Sequence, residues 1–334
     1  MIRLAWRQFR AEGLIALGAL VVVAVVLAAT GPHLMDVYRS TPNRVLTADP
    51  RLQTALSALV LVVPALVGVF FGAPLVAREL ETGTYRLAWT QSVTRVRWLA
   101  VKLVFVGLAS SLLVGGLGLM VAWWANPINI VNADRFSPAS FGVSGIVPFG
   151  YALFAFALGA TTGILFRRTL PAMATTLVGY IVVRLVVTFD IRRHFATPVT
   201  KAFAINQTGG FSFSMSPGGS VQVSVPPPDI PNAWAFSTGV VDHAGRAPTS
   251  AFLLKACPTL AGGPQLGGHA ITKGPPGASM QHCLSAIAAR FHGVATYQPA
   301  SRYWPFQIDE TALFVVLALA LAGVSVWWVR RRLT

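Results

Sequence analysis

The stretch ARELETGTYRLAWTQSVTRVRWLAVKL, residues 77–103, gathers the charged side chains of an otherwise apolar region. Glu79 and Glu81 are surrounded by Arg78, Arg86, Arg95, Arg97 and Lys102, with Trp89 and Trp98 interleaved. A helix can run on through Glu81 and stop at Thr82-Gly83, because glycine tolerates the left-handed conformation that ends helices. TYRLAWTQ, residues 84–91, fits two helical turns with Tyr85, Leu87, Ala88 and Trp89 on an apolar face, and Thr94 can cap the helix that follows. The chemistry open to such a segment is docking, as a charged knob bearing one aromatic and offered to a soluble partner. The same residues also suit a solvated connector resting on lipid headgroups.

Bond-making chemistry has no comparable set. The chain has no GxxxxGK[ST], no HExxH, no GxSxG and no CxxC, so no catalytic residues, no metal ligands and no cofactor are assigned to it. GGPQLGG (262–268) lacks the lysine of a phosphate loop and reads as a turn.

The elements flanking the connector fix its setting. Of 334 residues, 54% are hydrophobic and 11% charged, with a mean hydropathy of +0.62. Six apolar runs, at 13–30, 55–77, 101–124, 146–166, 171–189 and 311–329, approach the ~20 residues that a helix needs to cross a bilayer. Their interiors carry no Asp or Glu, which argues against a proton-coupled carrier. The expected fold is an all-α polytopic membrane protein of six transmembrane helices, with the first run an uncleaved anchor.

A net charge of +15 would suggest nucleic acid in a soluble chain, but here the basic residues cluster at the ends of the apolar runs. Arg3, Arg7 and Arg10, the 78–102 connector, Arg167-Arg168 and Arg330–Arg332 fall on one side if the spans alternate, so both termini are expected in the cytoplasm of a bacterial plasma membrane. Trp6, Trp98, Trp327 and Trp328 then mark the inner headgroup level, and Trp123, Trp124, Tyr303 and Trp304 the outer one. Arg184 lies inside the fifth run. Two readings fit it: a stem that snorkels outward or pairs with Asp190, or a place on a substrate cavity. Pro64 and Gly68 are expected to let the second span bend beside such a cavity.

Residues 190–308 read as a mixed α/β extracytoplasmic domain between the fifth and sixth spans. FSFSMS (211–216) and SVQVSV (220–225) alternate as a hairpin, and residues 278–293 carry an amphipathic helical pattern. Cys257 and Cys283, the only cysteines, are expected to pair in an oxidising compartment.

RELETGTYRLAWTQSVTRVRWLAVK resembles the second-to-third connector of permease subunits of type-2 ATP-binding-cassette (ABC) exporters, which carries an acidic–Gly–Thr turn and a short coupling helix. MIRLAWRQFRAE (1–12) looks like that family's amphipathic interfacial helix, and YQPASRYWPFQIDE (297–310) is similar to the return segment of an actinobacterial branch with a large extracytoplasmic loop. Val93 departs from the pattern, standing where many members have proline. The resemblance implies that Glu79, Glu81, Gly83, Thr84, Arg86, Trp89 and Arg95 couple the permease to a separate P-loop ATPase subunit, which holds the ATP and Mg. It further implies a homodimer in the lipid bilayer that exports a drug, lipid or peptide-like substrate, with no nucleic acid involved. The alternative is a membrane-anchored sensor or binding protein acting through its extracytoplasmic domain.

Overall fold

A computed structural model describes residues 2–83, 94–205, 212–215, 221–225, 230–257, 270–271 and 278–332. Among these residues, six helices are long and apolar enough to cross a membrane: α1 (Ile2–Ser40), α2 (Pro50–Thr82), α3 (Arg95–Trp124), α4 (Val147–Phe166), α5 (Thr169–His194) and α6 (Tyr303–Arg332). The six expected apolar runs fall within them, save that Ile146 is the N-cap of α4. The ends differ from expectation in an informative way. α1 is one helix from Ile2 onward, with no break at residue 12 to set off an interfacial segment. α5 continues to His194, and α6 begins at Tyr303, eight residues before the apolar run does. The compact unit between them is therefore Thr197–Ser301, smaller than the 190–308 block expected. Arg192, Gln307 and Glu310 at these helix ends are buried and hydrogen-bond inside the bundle rather than to solvent.

The most buried span is α4, and glycine explains how closely α2 approaches it. Gly68 and Gly72 on α2 face Ala155, Phe156 and Gly159 on α4. A Cβ on Gly68 would fall 2.6 Å from the Ala155 carbonyl oxygen, and one on Gly159 would fall 2.2 Å from that of Gly68. The two GxxxG segments, GVFFG (68–72) and GATTG (159–163), thus bring backbone against backbone. Pro64 removes one helical hydrogen bond, and a π-helical turn follows at Val67–Gly72.

Hydroxyl groups join α4 to its other neighbours. Thr161 Oγ1 lies 3.0 Å from Ser325 Oγ of α6, and Thr162 Oγ1 lies 2.7 Å from Thr176 Oγ1 of α5. At its start α4 is capped from α6. Gln307 Oε1 accepts the Ile146 and Val147 N–H groups at 3.2 and 3.3 Å, donors that an isolated helix start leaves unpaired.

Trp123, Trp304 and Trp327 are 61%, 56% and 47% exposed. Trp98 and Trp124, expected at the headgroup level, are instead 2% exposed each. Trp124 Nε1 donates to Thr30 Oγ1 of α1 at 2.9 Å, and the Trp98 ring lies 4.8 Å from the Lys102 ammonium. The amphipathic ring finds its polar partner within the protein, so burial costs it no hydrogen bond or cation contact.

The Thr197–Ser301 unit contains two antiparallel three-stranded sheets among its described residues. One has the order β1 (Val199–Phe203), β6 (His292–Gln298), β4 (Trp234–Val241). The other has the order β3 (Val221–Ser224), β2 (Ser212–Met215), β5 (Ala270–Ile271). The β2–β3 pairing is the expected hairpin. Gly293 pairs with Phe203, whose ring covers it so closely that a Cβ there would lie 2.4 Å from the ring. The expected amphipathic helix is Ala278–Ala288, which turns Cys283, Leu284 and Ile287 into the core and leaves His282 exposed.

Cys283 is disulfide-bonded to Cys257, at the end of the helix Ser250–Ala256, and both are fully buried. The closed loop has a sequence separation of 26. Replacing both cysteines by serine is expected to destabilise this unit by about 3 kcal/mol in the chain-entropy picture. Limited proteolysis of oxidised and reduced protein should show faster cleavage between residues 197 and 301 on reduction, with the six spans unaffected.

Candidate coupling site

The last turn of α2 ends at Thr82, and Gly83 takes the left-handed conformation at φ +74°, the stop read from the sequence. Across the gap, Thr94 caps α3 with its side chain, accepting the Arg97 N–H at 3.4 Å. Arg95 opens α3 and is partly exposed. The coupling helix expected over 84–91, with Thr84, Arg86 and Trp89, lies outside the described residues.

What the structure adds is how the two roots of the connector are held. Lys102, about two turns inside α3 and 4% exposed, donates to Glu79 Oε1 of α2. An ammonium so deeply buried needs a counter-charge, and Glu79 supplies it across the base of the connector. Glu81, the last residue but one of α2, faces a different helix. Its Oε2 accepts the Thr169 N–H at 3.1 Å and the Thr169 hydroxyl at 2.7 Å. Thr169 opens α5, so the carboxylate meets both an unpaired N–H and the positive end of the helix dipole. Arg167, in the tight α4–α5 turn at φ +52°, donates to the Arg332 carbonyl oxygen at the end of α6 at 3.3 Å. The two carboxylates that the sequence offers to an outside partner thus already have partners on α3 and α5.

The three residues expected on a substrate cavity are each packed against neighbouring elements of the same chain. Pro64 is buried, and Gly68 packs on the α4 backbone. Arg184 neither snorkels nor pairs with Asp190, which binds Arg193 at 2.6 Å. The Arg184 guanidinium lies 3.4 Å above the Tyr151 ring, and its Nη1 lies 3.4 Å from Glu310 Oε1. Glu310, on α6, is fully buried. Its other partner is Arg192, also fully buried, which donates from Nε to Oε2 at 2.6 Å and from Nη2 to Oε1 at 2.9 Å. The Tyr151 hydroxyl donates to the same carboxylate.

Backbone geometry allows two arginines eight residues apart to reach one carboxylate. A π-helical turn at Val187–Ile191 lies between them, and its extra residue makes the step equivalent to about seven residues, or two turns, of regular helix. Gly142 leaves room for the Arg184 head, since a Cβ there would lie 2.2 Å from its Nη2. This cluster corrects the reading of acid-free spans. The signal is present in RYWPFQIDETALF (302–314), where Tyr303, Gln307, Glu310 and Phe314 recur on one helical face.

In the other unit the Asp242 carboxylate is engaged in a turn. The Arg246 N–H, with help from the Arg246 side chain and the Ala244 N–H, holds its carboxyl below the usual range. What the clusters do is tie helix ends together: α2 to α3 and α5 at the connector end, and α4 and α5 to α6 at the other.

The sequence matches the family described as ABC-2 membrane transporter related over residues 17–192, more than half of the chain. The chain belongs to that family. The matched residues span α1 to α5 up to Arg192, including both connector roots and both cluster arginines. No curated protein and no solved structure matches the chain. An ABC-2 protein with six apolar helices is a multi-pass component of a membrane transporter, and families of this kind supply its non-catalytic transmembrane part.

Proposed function

We propose that this ABC-2 protein is the permease subunit of an exporter, with its connector, 78–100, and both termini in the cytoplasm. A separate P-loop ATPase docks on the connector, and two permease copies enclose the path of a drug, lipid or peptide-like substrate. The observation that carries the reading is the bracing of the connector roots, with Glu79 on Lys102 and Glu81 on Thr169. A push on residues 84–93 would reach α2 and α3 directly and α5 through Glu81, so one docking event moves three spans. ATP-driven closure of the ATPase pair would in this way switch a cavity between the two sides.

Purifying the tagged chain from its native membrane in mild detergent tests the proposal. A co-eluting P-loop protein with vanadate-sensitive ATPase activity is the expected result. Exchanging both Glu79 and Glu81 for lysine sets a second ammonium against Lys102 and removes the α5 cap. That variant is expected to insert normally but to lose about ten-fold of the ATPase-driven transport, because the connector roots are no longer braced on α3 and α5 and the coupling between docking and the spans weakens. Undiminished transport would remove the connector from the mechanism. A preparation with no partner after crosslinking in intact cells would move the function to the Thr197–Ser301 unit as a receptor.

A further inference from the structure

α1 packs unevenly on the bundle. Leu27 and Leu34 are buried against α2 and α3, at 1% and 0% exposure, and Leu20 and Val23 are packed there in part, whereas a gap opens beside Gly13, Ala16 and Ala19. The gap is a cleft of about 360 Å³. Small residues, Gly13, Ala16 and Ala19 on α1 and Ala109 on α3, widen it, Phe71 of α2 helps to line it, and Ser110 contributes its one hydroxyl.

From the chemistry and dimensions of this cleft we infer that it holds one acyl chain of an anionic phospholipid drawn from the leaflet at the connector end. The inference rests on the chain's crossing a bilayer and not on an ATPase partner. Carbon walls give water nothing to bond, so hydrocarbon is the filling that fits. From Phe105 to Leu117 the cleft follows α3 for about 18 Å at the helical rise, a little over half of the ~30 Å hydrocarbon core and so the depth of one leaflet. Arg10 precedes Gly13 by one turn on the same face of α1 and is exposed, placed to meet a phosphate at the mouth. Arg78 and Arg97 are exposed at the same end of the bundle, and the nearby carboxylates Glu79 and Glu81 are engaged by Lys102 and Thr169. That balance of charge selects an anionic headgroup over a zwitterionic one.

The test uses the full chain in nanodiscs with phosphatidylglycerol or phosphatidylcholine carrying a photoreactive group on one acyl chain, followed by mass-spectrometric mapping. Phosphatidylglycerol should label residues 13–23 and 105–117 about five-fold more than phosphatidylcholine does, the effect of one arginine at an anionic surface. Arg10→Glu should abolish that preference, and Ala109→Phe should remove cleft labelling while the exposed Val178–Leu185 face of α5 stays labelled. Cleft labelling no stronger than that of the α5 face, or equal for the two lipids, overturns the inference. So does a disulfide between copies formed efficiently by Ala16→Cys, which would make a second chain the occupant.

Discussion

Alanine at Glu310 is expected to be the most damaging single substitution in the bundle, with a loss of about 3–5 kcal/mol, the usual result of breaking a buried ion pair from one side. Two guanidiniums converge on this carboxylate, and Arg192 is fully buried. Without Glu310 both charges would remain in an apolar setting, with the Tyr151 hydroxyl unpartnered as well. The variant should melt well below wild type in detergent, read by tryptophan fluorescence and by the monodisperse fraction after heating. The cause is separable from lost volume. Removing all the charges together, as Arg184→Met, Arg192→Met and Glu310→Leu, should recover most of the stability, because an apolar replacement of a buried ionic group is often neutral. An unchanged melting point for Glu310→Ala would show that the charges escape to water and that the cluster holds nothing.

The second large effect is expected at Gly159. Any side chain there points at the α2 backbone, 2.2 Å from the Gly68 carbonyl oxygen and 2.7 Å from the Ala73 nitrogen. Backbone cannot swing aside as a flexible side chain can, so α2 and α4 must separate. Gly159→Val should therefore cost about 3 kcal/mol, the upper end of the overpacking range. It should also weaken the positions that depend on α2 sitting against the bundle, including Glu81 on Thr169. Gly116 on α3, where a Cβ would meet nothing within 4 Å, supplies the control. Gly116→Ala should leave the melting point unchanged or raise it, and equal effects at the two positions would mean that the close crossing is not what Gly159 provides.

The fold is legible in the sequence wherever the determinant is local. Gly83 as a helix stop, Thr94 as a cap, the β2–β3 hairpin and the six apolar runs each depend on residues a few positions apart. The cysteine pairing is legible because there is only one pair to make. What does not show is rotational or long-range. Trp98 and Trp124 stand near the ends of α3 but face inward, and position along a helix says nothing about that. Glu310 is hidden because apolar-run bounds stop at the first polar residue, although the helix and its packed face continue past it to Tyr303. Glu81 looks free for an outside partner, because Thr169 is 88 residues away and belongs to a different helix. The connector's own helix, with Thr84, Arg86 and Trp89, remains an expectation from resemblance.

Besides its Thr176 and Arg184 contacts with α4, α5 is pinned near its two ends by two different neighbours. Its first residue is held by Glu81 of α2, while Arg184 and Arg192 near its other end are held by Glu310 of α6. A rod with one bearing on each of two bodies cannot follow both when they part. If α2 shifts and α6 stays, α5 must pivot about the Glu310 bearing, and its unpacked side, with Leu177, Val178, Ile181 and Leu185, sweeps through an arc. The stroke would then be read not as a change in any one contact but as the angle of a single helix. A pair of spin labels on α5 and α6 could measure that angle directly.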